Sequence, residues 1–210
     1  MSPIEIPNWI PLFPLPNVVF FPKTYLPLHI FEPRYRQMVE ESLQGDRIIG
    51  MILLKEGWEE DYNGNPPFYD TGTAGKIVRS QPLEDGTHDI ILYGMTKFAV
   101  QQEDREKPYR RGRIRPIQED LLEPIPAPLK EKLVDLTPRY HPKGKEELQT
   151  VLEMGLEDDA LIATLCAGLP LTVLEKQFLL EAENLNQRAR RLIELIQLGL
   201  QAIRHKGEME

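Results

Sequence analysis

Few residues of this chain could act as nucleophiles, and none lies in a recognisable catalytic motif. Cys166 is the single cysteine, and its apolar helical setting, Ala-Thr-Leu-Cys-Ala-Gly, raises the pKa of a thiol and makes it unreactive. The three serines, Ser2, Ser42 and Ser80, all lie outside any Gly-x-Ser-x-Gly sequence. The sequence therefore predicts no cysteine or serine hydrolase, and we expect Cys166 to be a buried packing residue.

Metal-binding and nucleotide-binding motifs are also missing from the sequence. The four histidines are scattered, without a His-x-x-x-His pair or a Cys/His cluster. The run Gly72-Thr-Ala-Gly-Lys-Ile77 contains a Gly-Lys pair, but Asp70 stands where a phosphate-binding loop needs glycine, and Ile77 replaces the magnesium-binding Ser or Thr. We therefore predict no catalytic residue, no metal and no cofactor, and acid–base catalysis by carboxylates has no support in the sequence.

A polar, turn-rich loop over residues 55–70 is better suited to recognition than to catalysis. It contains four large aromatic side chains: Trp58, Tyr62, Phe68 and Tyr69. Such side chains supply contact area at a low entropic cost, so the loop is a candidate binding surface. The alternative is that these side chains fold back and fill the interior of the loop.

A basic segment and the last predicted helix offer two further candidate surfaces. Three arginines share one face of an extended strand: Arg111, Arg113 and Arg115. They would meet an acidic partner or a phosphate backbone, unless they form a solvated face neutralised by carboxylates of this chain. Leu195 and Leu198 widen the apolar face of the last helix, either for burial against other helices or for a dimer or partner contact.

Composition indicates a globular protein of the cytoplasm. The 210 residues are 41% apolar and 28% charged, and the net charge of -8 opposes binding to nucleic acid or to an anionic membrane. One cysteine fits a reducing compartment, and no basic leader precedes Lys23. The longest apolar stretch, residues 160–174, is too short to span a bilayer, so no membrane association is expected.

The apolar periodicity changes along the chain and predicts two domains. Residues 1–118 contain short apolar runs typical of strands, a hairpin that turns at Asp85-Gly86, and one helix that begins at Pro33. Residues 119–126 are interpreted as a linker, and residues 127–210 have a helical period.

Proline and capping signals place several elements more closely. Pro16 and Pro22 predict one short strand over residues 17–21, because proline is excluded from central ladder positions. In the second half, Pro138 is expected to close the first helix, and Asp158 or Asp159 to cap the third. The last two helices are indicated by a capping box, Thr172-Val-Leu-Glu175, and by an apolar stripe, Leu185, Ala189, Leu192, Ile196 and Ile203.

Two stretches near the start resemble the N-terminal domain of Lon proteases. They are Ile10-Pro-Leu-Phe-Pro-Leu-Pro-Asn-Val-Val-Phe-Phe-Pro22 and Leu26-Pro-Leu-His-Ile-Phe-Glu-Pro-Arg-Tyr35. Later segments are similar to that family in the same order: Gly72–Ile77, Asp85-Gly86, Tyr93–Phe98, Pro108-Tyr109 and Leu169–Glu181. The resemblance covers nearly the whole chain. It implies an α+β fold, a PUA-like twisted β-barrel followed by a C-terminal helical bundle.

The resemblance also implies a function. In the Lon family this region captures protein substrates and helps assembly, and the ATPase and protease domains follow it in the same chain. Because the sequence stops at Glu210 without their motifs, we expect a stand-alone, non-enzymatic domain. Its expected partners are unfolded or extended protein segments, bound on the aromatic loop or between barrel and helices, and a separate AAA+ protease; a homo-oligomer is compatible with this interpretation.

Two other functions stay open from the sequence. A nucleic-acid-binding PUA-like domain is favoured by the arginine segment and opposed by the net charge. A small-molecule-binding or catalytic protein would need a closed pocket of convergent polar groups between the two halves.

Overall fold

The computed structural model describes residues 6–61, 64–119 and 124–207. The chain divides into two compact units, Met1–Gln118 and Glu119–Glu210. Among the described residues, the first unit contains all the strands and one α-helix, and the second contains only helices. The fold class is therefore α+β, as predicted.

The first unit is a mixed sheet of six described strands. They are β1 (Trp9–Leu15), β2 (Tyr25–Ile30), β3 (Ile48–Leu54), β4 (Phe68–Pro82), β5 (His88–Asp104) and β6 (Arg111–Ile117). The hydrogen-bonded order is β2-β5-β4-β3-β1-β6, and β6 also pairs with β5. This last pairing closes five strands into a barrel and leaves β2 outside the ring. Only the β1–β3 pair is parallel among these pairings.

Apolar side chains fill the barrel in two clusters. Helix α1 (Pro33–Gln44) buries Tyr35, Met38 and Val39 in the first cluster, against residues of β3, β4 and β5. The second cluster centres on Phe98, with Ile114 from β6. Strand β3 is buried along its whole length, which explains its uninterrupted apolar sequence. The predicted start of α1 at Pro33 and the predicted hairpin at Asp85-Gly86 are both confirmed.

The predicted strand over residues 17–21 is wrong, because that segment is a loop. Phe20 and Phe21 are buried in the core, but their carbonyl oxygens accept hydrogen bonds from side chains, Thr73 Oγ1 at 2.5 Å and Thr24 Oγ1 at 2.7 Å. Here the apolar run reflects side-chain burial and not strand pairing. A loop can bury such a run when its polar backbone groups find other partners.

The strand lies earlier, and two prolines are part of it. The Leu12 N–H donates to the Arg110 carbonyl on the β6 side, so the nitrogen of Pro14 faces the same side. There the ladder with β6 covers only Trp9 to Pro11, and it has ended before Pro14. The missing N–H of Pro14 therefore costs no ladder hydrogen bond.

The second unit contains five described α-helices. They are α2 (Ala127–Tyr140), α3 (Lys145–Glu153), α4 (Asp158–Gly168), α5 (Val173–Leu180) and α6 (Leu185–Gly207). The capping box that opens α5 is confirmed, with the Thr172 side chain accepting from the Glu175 N–H. Four of the five predicted stripe residues of α6 are buried: Leu185, Ala189, Leu192 and Ile196. Ile203 is 57% exposed, so the prediction that it belongs to the buried stripe is wrong.

Two helix boundaries differ from the prediction. Pro138 lies inside α2 and does not end it. Proline removes one backbone hydrogen bond of the helix, but the next residues keep helical geometry as far as Tyr140. Glu157, and not an aspartate, is the N-cap residue of α4. The carboxylate of Asp158 instead accepts the Ile125 N–H at 2.9 Å, and it also pairs with Lys130.

Two described residues of the predicted linker, Glu119 and Ile125, make polar contacts with residues of the helical unit. Glu119 pairs with Arg188 of α6, whose side chain is 1% exposed and also donates from Nε to the Leu179 carbonyl at 3.1 Å. Ile125 is buried and hydrogen-bonded to Asp158. Residues 120–123 lie outside the described part of the chain. Within the described ranges, no helix combines the length and apolar character needed to cross a membrane.

Candidate functional site

Strand β2 is an edge strand with unpaired backbone groups. Among the described strands it pairs only with β5, in an antiparallel register. The Gly94 N–H donates to the Thr24 carbonyl at 2.9 Å, and antiparallel hydrogen bonds join every second residue pair. The backbone N–H and C=O groups of Tyr25 and His29, and the C=O of Pro27, therefore point away from β5. Within the described part of the chain, they form a free sheet edge.

Both faces of β2 are apolar, which is unusual for a strand with one face in solvent. Leu26, Leu28 and Ile30 point into the first core cluster. On the outer face, Tyr25 is 66% exposed, and Phe31, just beyond the strand, is 63% exposed. Half-buried antiparallel strands normally alternate between apolar and polar residues. The exposed aromatic groups therefore need an explanation beyond the packing of the barrel.

The apolar outer face continues across β5 and β4. The register places Tyr93 and Ile91 of β5 beside Tyr25 and Pro27, and the rings of Tyr25 and Tyr93 lie 5.1 Å apart. Val78 is the extra residue of a bulge in β4 and is 50% exposed. We call this array, together with the free edge, the β2 surface: Tyr25, Pro27, His29, Phe31, Val78, Ile91 and Tyr93.

Polar groups lie next to the β2 surface between Pro27 and Phe31. His29 Nδ1 lies 2.7 Å from Asp89 Oδ1, and both side chains are about half exposed. Arg79 and Gln81 of β4 complete a groove of about 440 Å³ that also includes Pro27 and Ile91. The groove is thus lined by both apolar and polar side chains.

This geometry suits the addition of a foreign β-strand. An extended segment beside β2 would hydrogen-bond to the free edge through its own backbone, and its side chains would alternate between the two apolar faces. Exposed apolar patches on a sheet edge are otherwise an aggregation hazard, so their presence usually marks an interaction site.

The described aromatic residues of the loop over 55–70 differ in their contacts. Phe68 is half-buried against the second core cluster, and the Arg110 guanidinium lies 4.2 Å from its ring centre. The ring of Tyr69 lies 5.6 Å from Lys55 Nζ, and Trp58 is half-buried in a short 3-10 turn. Tyr62 lies outside the described residues. The contacts of Phe68 favour the alternative that the loop folds back on the barrel.

Arg110 holds this loop in place, although it was not among the arginines singled out from the sequence. Its guanidinium donates to the Pro66 carbonyl at 2.7 Å and to both carboxylate oxygens of Glu103, at 2.5 and 2.9 Å. A bidentate pair of this kind has fixed geometry as well as favourable energy. The part of the loop near Pro66 is therefore tied to β5.

The three arginines of the basic segment share the outer face of β6, as the strand period predicts. Gly112 and Ile114, between them, are buried. Arg111 pairs with Asp104 at 3.2 Å. Arg113 and Arg115 are exposed, and neither has an ion-pair partner among the described residues. Two of the three guanidinium groups therefore remain available for an anionic partner.

The two leucines of α6 differ in exposure. Leu195 is half-buried within the helical unit, whereas Leu198 is 62% exposed. On the neighbouring helix, α5, Leu174 and Phe178 are 43% and 45% exposed, and the Arg191 guanidinium lies 4.1 Å from the Phe178 ring centre. The helical unit therefore has exposed apolar groups of its own, but they lie on helices, whose interior backbone groups are hydrogen-bonded within the helix.

The titratable groups with shifted pKa values have structural causes. Three hydrogen-bond donors, Tyr109, Gln37 and Lys107, lower the pKa of Glu41 to about 2, and the Tyr109 hydroxyl donates to Glu41 Oε2 at 2.6 Å. Burial raises the pKa of Cys166 to about 12, and the thiol is fully buried. No cluster of metal-binding side chains occurs in residues 6–61, 64–119 and 124–207. These shifts therefore do not define a catalytic site.

Sequence reasoning missed the β2 surface and favoured more conspicuous residues. A signal was present, because Tyr25-Leu-Pro-Leu-His-Ile-Phe31 places apolar or aromatic groups at both even and odd positions. A strand of this composition needs a partner on each face. The sequence did not reveal which edge of β2 is free, since that depends on the pairing of β5.

Comparisons with known proteins place the chain in one family. A family model described as the ATP-dependent protease La (LON) substrate-binding domain matches residues 9–197. Lon protease 2 of Myxococcus xanthus is 26% identical over 201 residues, which cover 91% of this chain and 24% of that protein. The Lon protease of Cytophaga hutchinsonii is 25% identical, and the matched region covers 100% of this chain and 26% of that protein. The chain spans about a quarter of the length of these curated relatives.

Two solved structures have a similar fold. A Lon N-terminal domain protein from Xanthomonas campestris superposes with a TM-score of 0.67 at 22% identity, covering 89% of this chain and 97% of that one. The N-terminal domain of a Mycobacterium avium complex Lon protease gives 0.67 at 14% identity, covering 90% and 98%. At these identities the likeness shows the fold alone.

Proposed function

Since this chain belongs to the family of ATP-dependent protease La (LON) substrate-binding domains, we propose that it is a non-catalytic module that captures extended apolar segments of other proteins on the β2 surface. The observation that carries this proposal is the free edge of β2, flanked on both faces by apolar side chains. The groups that bind an added strand are thus exposed in one place.

The free edge favours partners that are unfolded or extended. In a folded protein most backbone N–H and C=O groups are already paired, whereas an unfolded segment still offers them. The apolar groups around Tyr25 and Phe31 add a preference for segments rich in aliphatic or aromatic residues. Together these features favour unfolded or extended client segments over native proteins.

We expect the affinity for one segment to be modest. Each new hydrogen bond contributes a net of about 0.5–1.5 kcal/mol, and coupled ordering of a flexible segment costs about 2–5 kcal/mol. These hydrogen bonds alone therefore provide less than the roughly 8 kcal/mol of a micromolar complex, and burial of apolar side chains has to supply the remainder. Weak binding of this kind allows release of the captured segment to a second component.

The proposed second component is an AAA+ protease. The relatives from Myxococcus xanthus and Cytophaga hutchinsonii are Lon proteases, and this chain matches about a quarter of their length. On this proposal, segments held on the β2 surface are passed to an ATP-dependent protease that works with the domain.

The proposal is tested by binding of unfolded lactalbumin, made by reduction and carboxymethylation, with native lactalbumin as the negative control. In fluorescence anisotropy the full chain should bind the unfolded form only. The double variant Tyr25→Ser/Phe31→Ser should weaken binding at least about tenfold, since two exposed aromatic contacts are lost. Its circular dichroism spectrum and melting temperature should match those of the unmodified chain, because both side chains are mostly exposed.

Matched variants elsewhere separate this site from the surfaces suggested by the sequence. Trp58→Ala tests the aromatic loop, and Leu198→Ser tests α6. If either variant abolishes binding while Tyr25→Ser/Phe31→Ser does not, the capture site is not the β2 surface. If neither the unmodified chain nor any of these variants binds unfolded lactalbumin, the proposed function is wrong.

Nucleic-acid binding is the second candidate, and it is favoured by one observation. Arg113 and Arg115 are exposed on β6 without described ion-pair partners. The net charge of -8 opposes this function. Binding to a single-stranded oligonucleotide that falls steeply with salt and is lost in Arg113→Glu/Arg115→Glu would establish it.

A further inference from the structure

An edge that accepts a foreign strand would also accept the same strand of a second copy. Proteins usually prevent such pairing with charged side chains, covering elements or proline on the edge strand. None of the six residues of β2 is Lys, Arg, Asp or Glu. Pro27, at the third position of β2, is the protective feature of this type that the described strand contains.

The nitrogen of Pro27 faces the free edge. Leu26 and Leu28 make the backbone hydrogen bonds with β5, and Pro27 stands between them in a non-hydrogen-bonded pair with Ile91. Proline therefore removes no hydrogen bond from the sheet itself. The donor that it lacks is missing only for a strand that arrives from outside.

Symmetry makes this missing donor more costly for a second copy than for a foreign segment. In a two-fold dimer every contact occurs twice, with the roles of the copies exchanged. The outward positions are Tyr25, Pro27 and His29, so any antiparallel register that joins more than one pair of them uses the Pro27 of both copies. Two donors are then lost from one short ladder, whereas a foreign segment meets a single Pro27.

We propose that Pro27 is a specificity-determining residue that disfavours pairing between the β2 edges of two copies and leaves the edge open to segments of other proteins. This inference rests on the proposed function. It explains how an edge strand with apolar residues on both faces avoids pairing with the same strand of a second copy.

The test restores the missing donor. Pro27→Ala returns one N–H to the edge of each copy and adds no bulk, so a β2–β2 dimer regains two hydrogen bonds. The association constant for self-pairing should rise on the order of tenfold or more. Pro82→Ala is the matched control, because Pro82 ends β4 in the same sheet and is exposed.

Amide hydrogen exchange at Tyr25 and His29 reports on this edge specifically. In the unmodified chain and in Pro82→Ala, both amides should exchange fast at every protein concentration. In Pro27→Ala they should slow as the concentration rises, in parallel with dimer formation in analytical ultracentrifugation. Pro27→Val, which also restores the donor and suits a strand, provides a second variant if the alanine variant does not fold.

The results separate this inference from the proposed function. The inference is overturned if both variants exchange like the unmodified chain, or if the unmodified chain already protects Tyr25 and His29 by self-pairing. If the unmodified chain binds unfolded lactalbumin in either of those cases, the capture function still stands. If it does not bind while Pro27→Ala dimerises, the capture function fails and the discrimination we infer fails with it.

Discussion

Strands β2 and β6 both pair with β5, but they leave different groups exposed. β6 also pairs with β1 over Arg111 to Arg113, so part of its backbone is used on both sides. Its exposed residues are Arg113, Arg115 and Pro116. β2 has β5 as its single described neighbour, so its backbone and its apolar side chains are exposed together. The more conspicuous sequence pattern, the three arginines Arg111, Arg113 and Arg115, lies on β6, which has a neighbouring strand on each side. The candidate site lies where the topology leaves a strand unpaired.

The largest expected effects concern how firmly each strand is held in the core. Ile30 of β2 and Ile114 of β6 are 1% and 2% exposed, in different core clusters. Replacing either with alanine should lower the free energy of unfolding by about 2–5 kcal/mol, measured by urea denaturation. A loss below about 1 kcal/mol for Ile30→Ala alone would mean that β2 is frayed and cannot serve as a rigid template.

The next effect distinguishes the two strands through their backbones. When unfolded lactalbumin binds, the amides of Tyr25 and His29 should become protected from hydrogen exchange by about tenfold or more, because they gain acceptors from the added strand. The amides of Arg113 and Arg115 should not change, since β6 is already paired. Protection on β6 with none on β2 would reverse the assignment of the capture strand.

A smaller effect concerns the hydrogen bond that precedes β6. Tyr109 donates to Glu41 of α1 and helps to lower the pKa of Glu41 from 4.5 to about 2. A lowered carboxylate pKa stabilises the folded state above pH 4.5, and this stabilisation is lost as the pH falls toward 2. The carboxylate is partly exposed, so after allowance for solvent screening Tyr109→Phe should cost about 1 kcal/mol at pH 7.

The pH dependence provides the check on that prediction. Free energies of unfolding for the unmodified chain and Tyr109→Phe should converge between pH 4.5 and 2, because protonated Glu41 no longer favours the hydrogen bond. A constant difference between the two proteins down to pH 2 would show that the effect of the hydroxyl does not depend on the ionised form of Glu41.

The smallest effect is expected for the exposed arginines. Arg113→Gln/Arg115→Gln should change the free energy of unfolding by less than about 0.5 kcal/mol, since exposed side chains without ion pairs contribute little. Capture of unfolded lactalbumin should also be unchanged at physiological salt. A loss of capture in this double variant would indicate that the basic face of β6 also contacts the client.

Much of the fold was readable from local sequence patterns. The start of α1 at Pro33, the hairpin at Asp85-Gly86 and the capping box at Thr172 and Glu175 were all predicted, because each depends on residues close together in the chain. The burial of Cys166 was predicted for the same reason, from the apolar residues around it. Local geometry and periodicity are sufficient for features of this kind.

Long-range partners decided what the sequence could not. The apolar run before Pro22 was interpreted as a strand, but Thr73, more than fifty residues away, supplies the hydrogen bond that lets Phe20 be buried in a loop. The arginine row and the aromatic loop were visible as residue types, yet their ion pairs and packing were not. The edge of β2 became a candidate site only because β5 pairs with β2 through its first part and with β6 through its second part. Residue type determines what a side chain can contact, whereas the pairing of distant strands determines which backbone groups remain free to bind.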